Sequence, residues 1–377
     1  MDKPSTYAEI DLSAIQQNLS AIKNMVSSHV RIMAVVKANA YGHGIIEIAR
    51  VMEANHVSYL GVARLEEAVT LRKADIRLPI LVLGYTPPYG LEALCDYGIT
   101  QTIYAIEDAQ LLSHCATSKG KRAKIHIKID TGMGRLGLLT DSHGRLPSAI
   151  ETIARLPQIE LEGIFTHFAS ADDLDKASAR HQLDIFLNLL NVIQQKKIDI
   201  PLKHAANSAA IMDLPETHLD MVRPGICLYG LYPSPYISKE TIALTPAMTL
   251  KSHIIHLKKV PPGFKVSYGS TYETRTHTTI ATVPVGYADG YNRLLSSKGT
   301  MLVSGHRVPV VGRVCMDLLM LDVGKVATDI KINDEVVVFG NQGSENVSID
   351  EIAVLLNTIN YEIVTSVTSR IKRIYIP

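Results

Sequence analysis

Up to about residue 240, short apolar runs alternate with amphipathic segments. The runs are IMAVVK (32–37), YLGVA (59–63), ILVLGY (80–85), TQTIYA (100–105), KIHIKID (124–130), LEGIFTHF (161–168), LKHAANS (202–208) and DMVRPGICLYG (220–230). Each has the length of a strand. Segments such as RLEEAVTLRKA and RHQLDIFLNLLNVIQQ, which lie between them, carry apolar residues at helical spacing. A first helix is predicted where Ile15, Leu19, Ile22 and Val26 share one face, with Ser13 and Gln16 at capping-box spacing. Strands alternating with helices imply a parallel sheet, and eight such units over roughly 200 residues close a (β/α)8 TIM barrel. An open doubly wound sheet is the competing arrangement, but no G-x-G-x-x-G follows any of the runs.

After residue 240 the pattern changes. MTLKSHIIHLKKV, TTIATVPVGYADG, MLVSGH, RVPVVGRVCMDLLMLDV and DEVVVFG read as β-runs broken by Pro and Gly turns. One helix is expected at SIDEIAVLLNTIN, and SRIKRIYIP closes the chain as a strand. The predicted organisation is a barrel over 1–240 and a mostly β C-terminal domain over 241–377, with residues 1–9 available to pair with the second domain.

Composition narrows the function classes. The net charge is +1 and no long basic run occurs, so neither nucleic acid nor an anionic membrane is an expected partner. Cys95, Cys115, Cys227 and Cys315 form no C-x-x-C pair, which fits a reduced, cytoplasmic protein without a disulfide frame or zinc site. The polar N-terminus is not a signal peptide, and no apolar run reaches the length of a membrane span. A membrane-anchored parent, of which this chain is one piece, stays open.

In a (β/α)8 barrel the chemistry sits at the C-terminal ends of the strands. Here those ends carry Lys37, Asp130 with Arg135 in TGMGRLG, Thr166-His167, His204 with Asn207 and Ser208, and Arg223 before Pro224-Gly225. Taken singly, each has an ordinary role: a solvated lysine, a hydrogen-bonded histidine, an ion-paired arginine, two helix caps. Their joint position argues for a site. The loops after strands 7 and 8 are this fold's usual phosphate cradle, and a phosphate cradle facing a strand-1 amine suggests a pyridoxal-phosphate Schiff base. Carboxylates are too few at these ends for a metal, and none is expected.

The same residues carry a resemblance. VVKANAYGHG is similar to the cofactor-lysine motif of alanine racemases. DTGMGRLG, THFASAD, HAANSAA, MVRPGICLYG, KVSYGSTY, PVGYADG, GRVCMD and TINYE extend it over nearly the whole chain. The resemblance implies a barrel joined to a β domain and a homodimer whose active sites are shared between subunits. Lys37 is then the covalent anchor of pyridoxal 5'-phosphate and one of two bases, and Tyr268 is the other, reaching in from the partner subunit. Arg223 faces the pyridine nitrogen, with His167 behind it. Tyr41, Asn207, Ser208, Gly225, Ile226 and Tyr361 belong to the cofactor site. Arg135, Met316, Tyr268 and Tyr287 meet or admit a small amino-acid substrate, and Lys128 matches a lysine that is carbamylated in some members.

The residue types suit the chemistry. Racemisation takes an α-proton from one face and returns one to the other, so it needs two acid–base groups on opposite sides. An arginine at the pyridine nitrogen stays protonated and gives up a proton reluctantly, which makes the ring a weaker electron sink than an aspartate would. The implied activity is interconversion of L- and D-alanine, supplying D-alanine for peptidoglycan. The alternative is a serine racemase of the membrane-anchored glycopeptide-resistance type; the bulk of Tyr361 favours alanine. A non-catalytic pyridoxal-phosphate-binding protein is a lone barrel without Tyr268, and a barrel-plus-β-domain decarboxylase has different strand-end motifs.

Overall fold

The computed structural model describes residues 4–140, 145–326 and 329–377. The chain divides into two compact units. One comprises 15–40 and 45–245; the other comprises the N-terminal segment through Ala14, 41–44 and 246–377.

The first unit is the expected barrel. Its strands are β1 (Arg31–Val35), β2 (Tyr59–Val62), β3 (Ile80–Val82), β4 (Thr100–Ile103), β5 (Ala123–Asp130), β6 (Ile159–Phe165), β7 (Leu202–His204) and β8 (Met221–Val222). They pair in parallel in the order β8-β1-β2-β3-β4-β5-β6-β7. Between β7 and β8 the ring is closed by two backbone bonds, from the Asp220 N–H to the Lys203 carbonyl and from the Arg223 N–H to the Ala206 carbonyl, each 3.0 Å. Apart from β5, which spans all of KIHIKID, the strands are shorter than the apolar runs predicted, because the last residues of those runs turn away into the loops at the strand ends.

Met33, Tyr59, Leu81, Phe165, Leu202 and Met221 pack together, one residue from each of six strands. Burial of such a side chain contributes about 1.5–3 kcal/mol. Deeper polar positions, His126, Lys128, His204 and Arg223, are also buried. A barrel interior tolerates these only where each finds a partner.

The first helix runs Leu12–Met25 and buries Ile15, Leu19 and Ile22. Its cap is not Ser13. The Asp11 carboxylate accepts from the Ala14 N–H at 2.8 Å and from the Ser13 hydroxyl at 2.8 Å. A carboxylate two positions earlier satisfies a free amide of the first turn and suits the positive helix end.

The second unit is mostly β. One sheet has the order His306–Pro309, Thr300–Val303, Glu335–Gln342, Met248–His253, Tyr7–Asp11, Lys372–Ile376. The N-terminal strand lies antiparallel to Met248–His253 and parallel to Lys372–Ile376. MTLKSHIIHLKKV is two strands rather than one run: His256–Val260 leaves for a second sheet with Thr278–Val283 and Leu319–Asp322. The single helix expected near the C-terminus is also two, Ile349–Leu356 and Asn360–Ser366. Asn357, at φ 54°, adopts the left-handed conformation that ends the first of them.

Candidate active site

In the barrel unit Lys37, Lys128, Arg135, His167 and Arg223 gather at the C-terminal strand ends. Each of His167 and Lys128 senses the charges of the other cations in this group. Burial lowers the Lys37 amine from its ordinary range; Arg135 lowers it further and Glu67 opposes. The Lys128 amine is brought to about 8 by burial first and then by Arg135 and Arg223. His167 is held well below its usual value by burial and by Arg223. Four cations at neighbouring strand ends, with a neutral imidazole among them, form a site suited to a multiply charged anion.

The loop after β1 explains how Lys37 is presented. Ala38, Asn39, Ala40 and Tyr41 all have left-handed backbones, with φ of 52°, 55°, 53° and 51°. None is glycine, so each costs about 1–2 kcal/mol. The cost is met by fixed partners. Glu67 accepts from the Ala38 N–H at 2.6 Å, Asn39 Oδ1 from the Ile45 N–H at 2.9 Å, and the Val36 carbonyl from the Ala40 N–H at 2.8 Å. The sequence signal was only Gly42 and Gly44, and nothing local marks Glu67. Backbone strain beside an amine of lowered pKa is a feature that clusters at functional sites.

Asp130 ends β5 and shapes the Arg135 loop. Its carboxylate accepts from the Gly132 and Gly134 amides at 2.9 and 3.1 Å. Gly137 has φ +145°, and a Cβ there would lie 2.4 Å from the Asp130 nitrogen. Only glycine lets this loop fold back onto its own strand.

Arg223 is 4 % exposed and held on every side. Nη1 donates to His204 Nδ1 at 3.0 Å; Nη2 donates to the Thr166 and Ala205 carbonyls, each at 2.8 Å, and lies 3.2 Å from His167 Nδ1. Burial brings the guanidinium to about 9. His204 lies flat on Phe165 with ring centroids 4.7 Å apart. The sequence placed His204 at a strand end without giving it a role; its bond to Arg223 needed the closed barrel to become visible.

The residues expected to cradle phosphate meet where the loops after β7 and β8 come together. The Ser208 hydroxyl accepts from the Gly225 N–H at 2.9 Å and from the Cys227 thiol at 3.2 Å, which leaves its own proton to donate. The Gly225 amide is therefore already engaged, and a phosphate would have to share it. Asn207 caps the helix Ser208–Asp213, its Oδ1 accepting from the Ala210 N–H at 3.0 Å. Ile226 opens a helical turn, Ile226–Tyr229, where first-turn amides lack helical acceptors.

The remaining residues belong to the second unit. Tyr41 packs on Tyr361, with ring centroids 6.1 Å apart. Tyr268, Tyr287 and Met316 are separated in sequence but their loops are stitched together. The Ser267 hydroxyl donates to the Arg313 carbonyl at 2.6 Å, and the Tyr287 and Ala288 amides donate to the Cys315 and Met316 carbonyls at 3.1 and 3.0 Å. Tyr268, Tyr287 and Met316 are 70 %, 41 % and 53 % exposed, an outward-facing apolar group. Among the described residues, no helix is long and apolar enough to cross a membrane.

Comparison with known proteins agrees with this assembly. The N-terminal domain of the alanine racemase family matches residues 10–233, and its C-terminal domain matches residues 247–375. The alanine racemase of Desulfosudis oleivorans is 50 % identical over 381 residues, covering 100 % of this chain and 97 % of the relative. That of Desulforamulus reducens is 49 % identical, covering 99 % and 100 %. Among solved structures, the alanine racemase of Clostridium difficile 630 superposes with a TM-score of 0.95 at 43 % identity, covering 100 % of this chain and 97 % of that one. The enzyme from Bacillus anthracis with bound L-Ala-P gives 0.92 at 37 %, covering 100 % and 96 %. With both domains matched in order along the whole chain, and the barrel and β unit folded as that family requires, the chain belongs to the alanine racemase family of isomerases.

Proposed function

We propose that this enzyme interconverts L- and D-alanine with pyridoxal 5'-phosphate, using Lys37 and Tyr268 as its two acid–base groups, and so supplies D-alanine for peptidoglycan in the cytoplasm. The observation that carries this reading is the cluster of Lys37, Lys128, Arg135 and Arg223 with neutral His167, beside the Ser208 hydroxyl that retains a proton to donate. This donor set fits the cofactor: its phosphate and phenolic oxygen are anionic, and its ring nitrogen needs a positioned donor. When bound, the cofactor withdraws electrons from the substrate and makes the α-hydrogen acidic.

Lys37 would anchor it, since an amine with a lowered pKa is a better nucleophile near neutral pH. Arg223 would donate to the ring nitrogen. Tyr41, Asn207, Ser208, Gly225, Ile226 and Tyr361 would hold the cofactor, most of them through its phosphate. Arg135 and the Met316 amide would orient the substrate carboxylate. Tyr268, exposed together with Tyr287 and Met316, is suited to insertion into a second copy of the chain, which makes the active form a homodimer.

Tyr361 also bears on substrate size. Packed on Tyr41, it is a bulky wall suited to a methyl side chain. Alanine is expected to exceed serine in kcat/KM by roughly tenfold or more, the scale on which one small side-chain group is discriminated. A racemisation assay on L-alanine and L-serine checks this; serine equal to alanine would establish the serine racemase alternative.

Lys128 is the proposed site of a carbamate. At a pKa of about 8 an appreciable fraction of the amine is neutral near neutral pH. Nζ then attacks carbon dioxide, an N–C bond forms, and one proton is released to solvent. The product is an anion that complements Arg135. Incubation with 13C-bicarbonate is expected to add a carbamate resonance that Lys128→Ala removes. The unmodified amine has the opposite signature in stability. Its folded pKa lies below its unfolded value of about 10.4, so stability should rise as pH increases from about 8 toward 10.

A further inference from the structure

We propose that Glu162, His126 and His204 form a one-way chain through the barrel that positions Arg223, making Glu162 and His126 positioning residues for chemistry at the far end of the fold. The proposal rests on Arg223 as the partner of the cofactor's ring nitrogen.

The direction of the chain follows from donor chemistry. A guanidinium has only donors. His204 Nδ1, 3.0 Å from Arg223 Nη1, must therefore be the bare nitrogen of a neutral ring. The His204 proton sits on Nε2, which lies 2.9 Å from His126 Nδ1. His126 must accept there, so its own proton sits on Nε2, which makes no aligned hydrogen bond but lies within ion-pair distance of Glu162 Oε2, at 3.4 Å. Every proton in the chain points away from Arg223 and toward a carboxylate.

The chain is built for, not incidental. His126 and His204 are both fully buried, and burial keeps both rings neutral. Gly163 sits opposite His126 in the β5–β6 register, and a Cβ there would fall 2.6 Å from the imidazole. Any other residue would displace the ring. At the far end, the Glu162 carboxylate accepts from Lys124 Nζ at 2.8 Å and from Thr100 Oγ1 at 3.5 Å. Burial alone would raise its carboxyl; His126, Lys124 and Tyr59 bring it instead to about 2, so it is anionic.

A carboxylate behind an imidazole makes the opposite ring nitrogen a stronger acceptor, as in the carboxylate–histidine pairs behind metals. Two imidazoles in series carry that polarisation across the barrel. The function of the chain is to keep Arg223 charged and fixed in orientation as a donor. An arginine so held does not surrender its proton to the cofactor ring, which keeps the reaction on racemisation rather than transamination.

The test uses holoenzyme labelled with 15N at histidine. Two-bond correlation spectra are expected to show His204 and His126 as neutral rings protonated at Nε2, unchanged from pH 8 down to about 5.5, below the ordinary imidazole range. In Glu162→Gln the His204 Nδ1 resonance should shift, and transamination relative to racemisation should rise several-fold. A proton on His204 Nδ1 in the unmodified enzyme overturns the proposal, even if the variant fails to fold. So does a folded Glu162→Gln variant with an unmoved His204 Nδ1 resonance or an unchanged product ratio. The spectra are readable whether or not alanine is racemised, so wild-type protein with this tautomer pattern and no racemase activity would count against the functional reading alone.

Discussion

Lys37→Ala is expected to lower alanine racemisation by at least about 10⁴-fold, because one residue would be lost as both cofactor anchor and base. Fold and stability should change little. The Lys37 side chain is partly exposed at a strand end, and the left-handed turn after it is held by Glu67, Asn39 and Val36 through atoms that the substitution leaves in place. Racemisation followed by circular dichroism, beside a thermal melt, separates the two effects. Activity within tenfold of the parent would remove Lys37 from the mechanism. Added methylamine offers a second readout: partial rescue would identify the missing group as an amine.

Tyr268→Phe is expected to reduce turnover by about 10²–10⁴-fold, the usual contribution of one positioned acid–base group. The ring is 70 % exposed in the single chain, so losing its hydroxyl should leave the melting temperature unchanged. A mixing experiment decides where the hydroxyl works. If sites are shared between subunits, a heterodimer of Lys37→Ala and Tyr268→Phe chains contains one site with both residues intact and one with neither. Two nearly inactive preparations should then regain activity after joint refolding. If each chain supplied its own Tyr268, every site would lack one base and the mixture would stay inactive.

The relation between these predictions and the sequence is uneven. Lys37, His167, Arg223 and Arg135 were legible because a parallel barrel directs the C-terminal end of every strand to one face. Counting strands was enough to assign them to one site. Glu67 was not legible, because its contact with Ala38 depends on how a helix after β2 packs beside a loop after β1. His126 and Glu162 lie inside the strand-like runs KIHIKID and LEGIFTHF, away from the strand ends that marked candidates. Neither position carries a motif, and their relation to Arg223 exists only across the barrel interior.

Helix capping and strand division show the same limit on a smaller scale. Ser13 and Asp11 are both competent caps, and the choice fell to Asp11, which closes the adjoining strand and already points at the Ala14 amide. MTLKSHIIHLKKV has no internal Pro or Gly, so periodicity reads it as one run, yet the chain changes sheets between His253 and His256.

By itself the sequence determined the class of fold, the order of its strands and the residue types at their ends. These follow from local hydrophobic periodicity and from the few ways alternating strands and helices can close. Only the tertiary structure decided which of those residues are charged, which are neutral and which way their protons point. Those properties come from burial and from partners far apart in the chain: Arg223 is a fixed donor because His204, Thr166 and Ala205 surround it, and His204 is a neutral acceptor because Arg223 can do nothing but donate.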